Sequence, residues 1–322
     1  KPDDDPSLAD DQAEFRKLSG ELFGDGTGVH QVGKGTVYAG HSLKDALAAL
    51  KLAPDFDYTW PEKDARIEFV HRRLADGDIY FVDNRSDRTE RLEAAFRVAG
   101  KQAEIWHAET GAMEPASYKI ADGRTTVPLN LEPWGTVFVV FRKPAKSMEQ
   151  MLPKLVETKL DTVSGAWKVA FQADRGAPAE ITVEKLTSWT ENSDPGVKYF
   201  SGSGTYTTTV NAQAGWFHDG ARMWIDLGDV KNIAQVIVNG TALGEVWHAP
   251  FRVDATSALR PGVNEVTVKV TNLWPNRMIG DLQPGVTKTY TWADVKPYNA
   301  NSPLPTSGLI GPVTIWRAES AH

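Results

Sequence analysis

Past residue 60, apolar and polar positions alternate along most of the chain, with the period of two that marks half-buried strands. "ARIEFVHRR" and "DIYFVDNR" are joined by "LADG", a hairpin linker. "RLEAAFRVAG", "KQAEIWHAETG", "TVPLNL" and "GTVFVVFRK" continue the pattern, and Gly100, Gly111, Gly123 and Gly135 punctuate it at the turn spacing of a small antiparallel sandwich. Beyond residue 160, "AWKVAFQ", "KYFSGSGTYTTTV", "RMWIDLG", "IAQVIVNG", "FRVDAT" and "NEVTVKVTNLW" alternate in the same way. Asn239-Gly240 in "VNGTALG" predicts a hairpin, and Pro261-Gly262 in "LRPGVNEV" predicts a tight turn.

The first residues follow a different period. "SLADDQAEFRKLSGELFG" places Phe15, Leu18 and Leu22 at helical spacing behind a Ser7 cap, and "SLKDALAALKL" places Leu43, Leu47 and Leu50 on one face behind Ser42. "GTVYAG" between them reads as a short strand. Two helices and one strand cannot bury a parallel sheet, so residues 1–57 are expected to be the α/β tail of an upstream domain. The glycines of "GDGTG" lack the phosphate-loop spacing and follow a helix. The expected architecture is mainly β: a small antiparallel sandwich over 58–145, a linker over 146–160 in which "KPAKSMEQMLPKLVETKL" carries a short helical or strand-like stretch, and a second sandwich over 161–322.

Composition narrows the function classes. A net charge of −7 argues against a nucleic-acid partner, whose phosphates call for Lys and Arg. There is no cysteine, which excludes disulfides, thiolate metal sites and a cysteine nucleophile. No apolar run of membrane-spanning length occurs. "KPDDDPSLADD" lacks the apolar core of a signal peptide, and the chain opens without Met, so a processed protein or a fragment is expected. Eleven tryptophans stand out, and eight (Trp167, Trp189, Trp216, Trp224, Trp247, Trp274, Trp292, Trp316) follow residue 160. Most are expected in the core, and the rest are free to serve as flat platforms for sugar rings.

"DLGDVKNIAQVIVNG" and "LGEVWHAPFRVDATSALRPGVNEVTVKVTNLW" are similar to the sugar-binding jelly-roll of family 2 glycoside hydrolases. With "YFSGSGTY", "NLWPNRMIGD", "IEFVHRRLADGDIYFVDNR", "AAFRVAGKQAEIWHAETG" and "LNLEPWGTVFVVFR", nearly the whole chain resembles the C-terminal portion of family 106 glycoside hydrolases, the α-L-rhamnosidases. The resemblance implies that the second sandwich is a galactose-binding-like jelly-roll. It also implies an exported protein, periplasmic or secreted, whose ligand is a rhamnose-containing oligosaccharide or glycoside. That family carries its catalytic glutamates and calcium-associated carboxylates on a large barrel, which needs roughly 200 residues or more. No barrel fits here, so no catalytic residue, metal ligand or cofactor is assigned to this chain, and the upstream catalytic domain becomes its expected partner. The chain then reads as part of a rhamnosidase, as a standalone carbohydrate-binding protein, or as a purely structural module.

Turn acids (Glu109, Glu245, Asp254, Asp281, Asp294) are read as solvated or capping rather than as the paired carboxyls, roughly 5–9 Å apart, of glycoside hydrolysis. Asp226 and Asp254 are expected to cap turns, "EIWHAETG" to be structural, and Arg72 and Arg73 to pair between domains. The histidines lack metal-ligand spacing, and "SGSGT" lacks a nucleophile-elbow context. "NLWPNRMIGD" holds the most hydrogen-bonding chemistry. Its Trp-Pro pair restrains the backbone, and Trp274, Asn276, Arg277 and Asp281, with Trp247 nearby, are candidate sugar contacts because bidentate groups suit vicinal hydroxyls. The alternative is an Arg277–Asp281 ion pair that pins a crossover between sheets.

Overall fold

The computed structural model describes residues 2, 11–59, 62–295 and 297–320. Helix α1 (Gln12–Phe23) is capped by Asp11, whose Oδ1 accepts the N–H groups of Ala13 (2.8 Å) and Glu14 (3.3 Å). The expected cap, Ser7, lies outside the described residues. Helix α2 (Leu43–Ala49) starts at Ser42 as predicted, its hydroxyl accepting the Asp45 N–H at 3.2 Å. Between the helices, Gly35–Ala39 pairs antiparallel with Gly28–Val32, a strand the sequence pattern did not single out. The expected α/β tail is therefore helix, hairpin, helix, with no parallel strands among the described residues. Its predicted apolar stripe stays uncovered: Leu43 is 76% exposed and Leu50 52%.

The first sandwich stacks two five-stranded antiparallel sheets. One runs in the order Glu149–Gln150, Tyr118–Ala121, Arg124–Leu131, Glu90–Phe96 and Phe56–Tyr58. The other runs Ile67–Arg73, Asp78–Asn84, Thr136–Phe141, Glu104–Trp106 and Met113–Pro115. Alternation fixes the inward faces: Leu92, Ala94 and Phe96 from one sheet meet Tyr80, Val82, Val139 and Phe141 from the other, all buried. Asp122 and Gly123 both take positive φ (50° and 74°), which makes the turn from Tyr118–Ala121 into Arg124–Leu131 a tight hairpin.

A polar knot closes one end of this core. Asp55 contacts His71 Nδ1 at 2.7 Å and accepts from the Tyr80 hydroxyl (3.2 Å) and Arg97, while His71 Nε2 lies 3.2 Å from Asp78. The His71 ring stacks on Tyr80 with centroids 4.0 Å apart. Burial raises the Asp55 pKa, but the hydrogen bonds and charges of His71, Tyr80 and Arg97 outweigh it and hold the group below its ordinary value. Arg72 and Arg73, expected to pair between domains, stay exposed and enter no ion pair among the described residues; their neighbour His71 faces the carboxylates instead.

The second sandwich packs a four-stranded sheet (Leu155–Thr162, Thr314–Ser320, Arg222–Asp226, Arg252–Asp254) on a six-stranded one (Glu180–Val183, Trp167–Phe171, Ser203–Ala212, Gly262–Thr271, Ile233–Val238, Thr241–Val246). The predicted Asn239-Gly240 hairpin is present, with φ of 50° and 81°. Trp167, Phe171, Trp189, Phe200 and Tyr206 fill the core, with Trp189 stacked on Tyr206 at 6.2 Å. Gly204 and Gly308 are needed there: a Cβ would stand 2.6 Å from Trp189 Cζ2 at the first and 2.9 Å from Trp189 Nε1 at the second. The segment 146–160, expected as a linker, is divided between the sandwiches. Glu149–Gln150 edges the first, and Leu155–Thr162 pairs with Thr314–Ser320 in the second, because both sheets offer an unpaired edge to the passing backbone.

Glu109 and His248 join the two sandwiches at 2.8 Å. Burial lowers the His248 pKa, but the Ala249 carbonyl and the Glu109 carboxylate outweigh it and hold the imidazole above its ordinary 6.5.

Two predictions follow the signs of these shifts. Asp55→Asn lowers stability at neutral pH by about 1 kcal/mol, since a partly buried acceptor hub loses its charge. Because the folded-state pKa is depressed, wild type and variant converge as pH falls through that lowered value, read by urea melts at several pH values. For Glu109→Gln the window is reversed. A raised histidine stabilises fully below its unfolded value of 6.5 and loses that contribution as pH rises through the folded value. The melting-temperature deficit of this variant, about 1–2 °C for a partly exposed pair, is present in mildly acidic buffer and vanishes in alkaline buffer.

Candidate functional site

"NLWPNRMIGD" leaves the sheet after Gly262–Thr271 and turns into the short helix α4 (Pro275–Gly280), preceded by the four-residue helix α3 (Pro195–Lys198) earlier in the chain. Pro275 occupies the first helical position, where its missing N–H costs nothing. Asn272 anchors the exit from the sheet, accepting from Gly202 N–H at 2.9 Å and donating to the Phe200 carbonyl at 2.8 Å. The Ser201 hydroxyl accepts the Arg277 N–H at 3.0 Å, closing the first turn of α4.

The next three side chains turn inward. Asn276, 2% exposed, donates to the Pro305 carbonyl (2.8 Å) and the Ser307 hydroxyl (3.2 Å). Arg277 Nε lies 2.9 Å from Asp281 Oδ1, both side chains are buried, and the guanidinium sits 5.1 Å over the Tyr290 ring. The pair is close in distance but not aligned as a hydrogen bond, so Nε and Oδ1 interact chiefly as charges. The other carboxylate oxygen accepts three donors: Tyr290 N–H (2.8 Å), Thr291 N–H (2.7 Å) and the Thr291 hydroxyl (2.7 Å). Glycine makes this packing feasible. A Cβ on Gly280 would lie 2.5 Å from both Arg277 Nη2 and Tyr199 Cβ.

Of the sequence-predicted contacts, the fold brings Asn276, Arg277 and Asp281 together as a buried rivet. Trp274, at the start of the same helix, is half exposed and packs under Arg175, whose Cζ lies 5.0 Å from the ring. Trp247 stands elsewhere, after Thr241–Val246 and beside His248, and is 64% exposed. Asp226 and Asp254 cap turns as expected, accepting from Gly228 N–H (2.8 Å) and Thr256 N–H (2.9 Å). Glu109 of "EIWHAETG" makes the contact between sandwiches described above. Among the described residues no cluster of three His, Asp or Glu side chains is arranged to hold a metal ion.

Two cavities flank α4. One, of about 430 Å³, is walled by Gly176, Gly196, Tyr199, Gly280 and Val286, with Arg277 among its lining. The other, of about 360 Å³, lies between α4 and residues 289–293 and 297–298, and includes Trp292 and Tyr298. Trp292 is one of the tryptophans that the sequence marks as core or sugar platforms, whereas Tyr298 carries no such mark. The available signal was the spacing Thr289, Thr291 with Trp292 in "TKTYTW", which alternates like a strand yet forms none. One expected outcome tests the rivet: Asp281→Ala leaves the buried Arg277 uncompensated and lowers stability in urea melts by about 3–5 kcal/mol.

Residues 1–120 match the model of glycoside hydrolase family 106, alpha-L-rhamnosidase. A protein of Formosa agariphila, provisionally named a β-glucuronidase, is 41% identical over 119 residues, covering 37% of this chain and 10% of its own length. The solved rhamnosidase of Novosphingobium sp. PP1Y superposes with a TM-score of 0.87 at 46% identity, covering 94% of this chain and 28% of that one. The chain thus spans under a third of the length of the relatives that it matches. Along nearly its whole length the chain is similar to part of a rhamnosidase, and over residues 1–120 to the α-L-rhamnosidase family model, as its motifs indicate.

Proposed function

We propose that this chain is the accessory, non-catalytic region of a glycoside hydrolase acting on rhamnose-containing glycosides, and that it docks against a catalytic barrel carried elsewhere. The observation that carries the reading is the match at 46% identity to 28% of a rhamnosidase, coupled with an apolar face that this chain leaves open. Leu18 and Leu22 on α1 and Leu43, Leu47, Leu50 and Leu52 on and after α2 are all between 38% and 76% exposed. Fully burying a leucine is worth about 1.5–3 kcal/mol, so covering these leucines would favour docking. The family resemblance places the catalytic acids and the calcium on a barrel, so this reading assigns no chemical step to this chain. Export to the periplasm or medium belongs to the same reading, and no described helix is long and apolar enough to cross a membrane.

The name of the Formosa protein makes a β-glucuronide the alternative substrate of the whole enzyme. The identity along nearly all of this chain to a rhamnosidase favours the rhamnoside.

Two measurements test this reading. Incubated with aryl α-L-rhamnoside and aryl β-D-glucuronide, the chain by itself releases no phenol; turnover would place the acids here and overturn the proposal. The double variant Leu43→Asp/Leu47→Asp keeps its melting temperature within about 2 °C, as exposed positions do, while binding of a hydrophobic dye falls severalfold. Loss of folding in that variant would show that the face already serves the chain's own core.

A further inference from the structure

Trp292 is 85% exposed, more than any other large apolar side chain among the described residues. Its backbone is nevertheless held. The two residues before it donate three hydrogen bonds to one oxygen of Asp281, at 2.7–2.8 Å, and Asp281 is anchored in turn by Arg277. An indole on a fixed backbone at the mouth of a cavity is a preorganised platform, because little ordering entropy is lost when a ligand covers it. The 360 Å³ cavity beside it falls in the size range of small-molecule sites, about 300–1,000 Å³.

The lining selects the ligand chemistry. Met278, Leu282 and Pro297 supply an apolar surface, and Tyr298 and Thr289 supply hydroxyls. Among the described lining residues the one charged side chain is Asp281, already matched by Arg277 and three donors. We propose that the cavity between α4 and Trp292 is a binding subsite for an uncharged 6-deoxyhexopyranoside, stacked through its C–H face on the Trp292 indole. The ring methyl then meets Leu282 and Met278, and the hydroxyls meet Thr289 and Tyr298. A uronate is disfavoured there, because its carboxylate would be desolvated beside the Asp281 carboxylate. The inference rests on the rhamnoside reading above and moves the sugar contact from the buried rivet to the surface that the rivet supports.

The test is titration of this chain with methyl α-L-rhamnoside and, in parallel, methyl β-D-glucuronide, followed by calorimetry and by tryptophan fluorescence. The expected result is saturable binding of the rhamnoside at millimolar affinity. Trp292→Ala should weaken it by about tenfold or more through loss of the stacking face, and Thr289→Val severalfold, both variants retaining the parent melting temperature. Trp274→Ala, on the other side of the helix start, leaves the affinity within about twofold, as expected of a side chain outside the cavity. A flat rhamnoside titration, unchanged binding in Trp292→Ala, or equal binding of the glucuronide would each overturn the subsite. A flat titration combined with impaired docking of a catalytic domain in Trp292→Ala assigns the indole to a protein contact and likewise overturns it. None of these outcomes bears on the accessory-region reading, which the turnover assay decides separately.

Discussion

The carboxylate of Asp281 is the constraint on which the candidate site depends. One oxygen faces the Arg277 guanidinium and the other gathers three donors from Tyr290 and Thr291, so a single side chain ties α4 to the segment that follows it. Placed in a nearly dry setting, either charge without the other would carry a desolvation cost of several kcal/mol. The pair therefore fixes the register between α4 and residues 289–291. Both flanking cavities inherit their shape from that register, and so does the position of Trp292.

The two sandwiches show the same division between apolar bulk and polar specification. Each core is closed by alternating aliphatic and aromatic residues, while polar clusters settle how its ends and edges meet. In the first sandwich, Asp55 collects His71, Tyr80 and Arg97 at one end of the stack. Between sandwiches, Glu109 reaches His248 from the turn between two strands. Such contacts add little net stability when partly exposed, but each rejects arrangements that would leave a charge unpaired. Among the described residues the N-terminal helices show no comparable closure, and their leucines stay exposed.

Much of the β architecture was legible because one buried face imposes a period of two. "DIYFVDN" reads as a strand and is one, with Tyr80 and Val82 inward. Asn239-Gly240 reads as a hairpin because two successive positive φ values suit few other pairs. Leu155–Thr162 was only half legible, as a helical or strand-like stretch in a linker: it is an edge strand with almost no buried position, so no alternation marks it, and its pairing with Thr314–Ser320 spans most of a domain in sequence. Gly28–Val32 was missed for a similar reason, being a short, exposed half of an isolated hairpin. Within "NLWPNRMIGD" the residue types announced bidentate chemistry, but nothing local tells whether an Arg four residues before an Asp points to solvent or to its partner.

The sequence by itself determined the mainly β class, the two sandwiches, the main hairpins and the resemblance to α-L-rhamnosidases, since these rest on local periodicity, turn chemistry and joint motifs. Only the tertiary structure decided that Asn276, Arg277 and Asp281 are buried while Trp292 is presented. Burial depends on which distant segments arrive to cover a side chain, and here Pro305, Ser307, Tyr290 and Thr291 come from up to 31 residues away to do so.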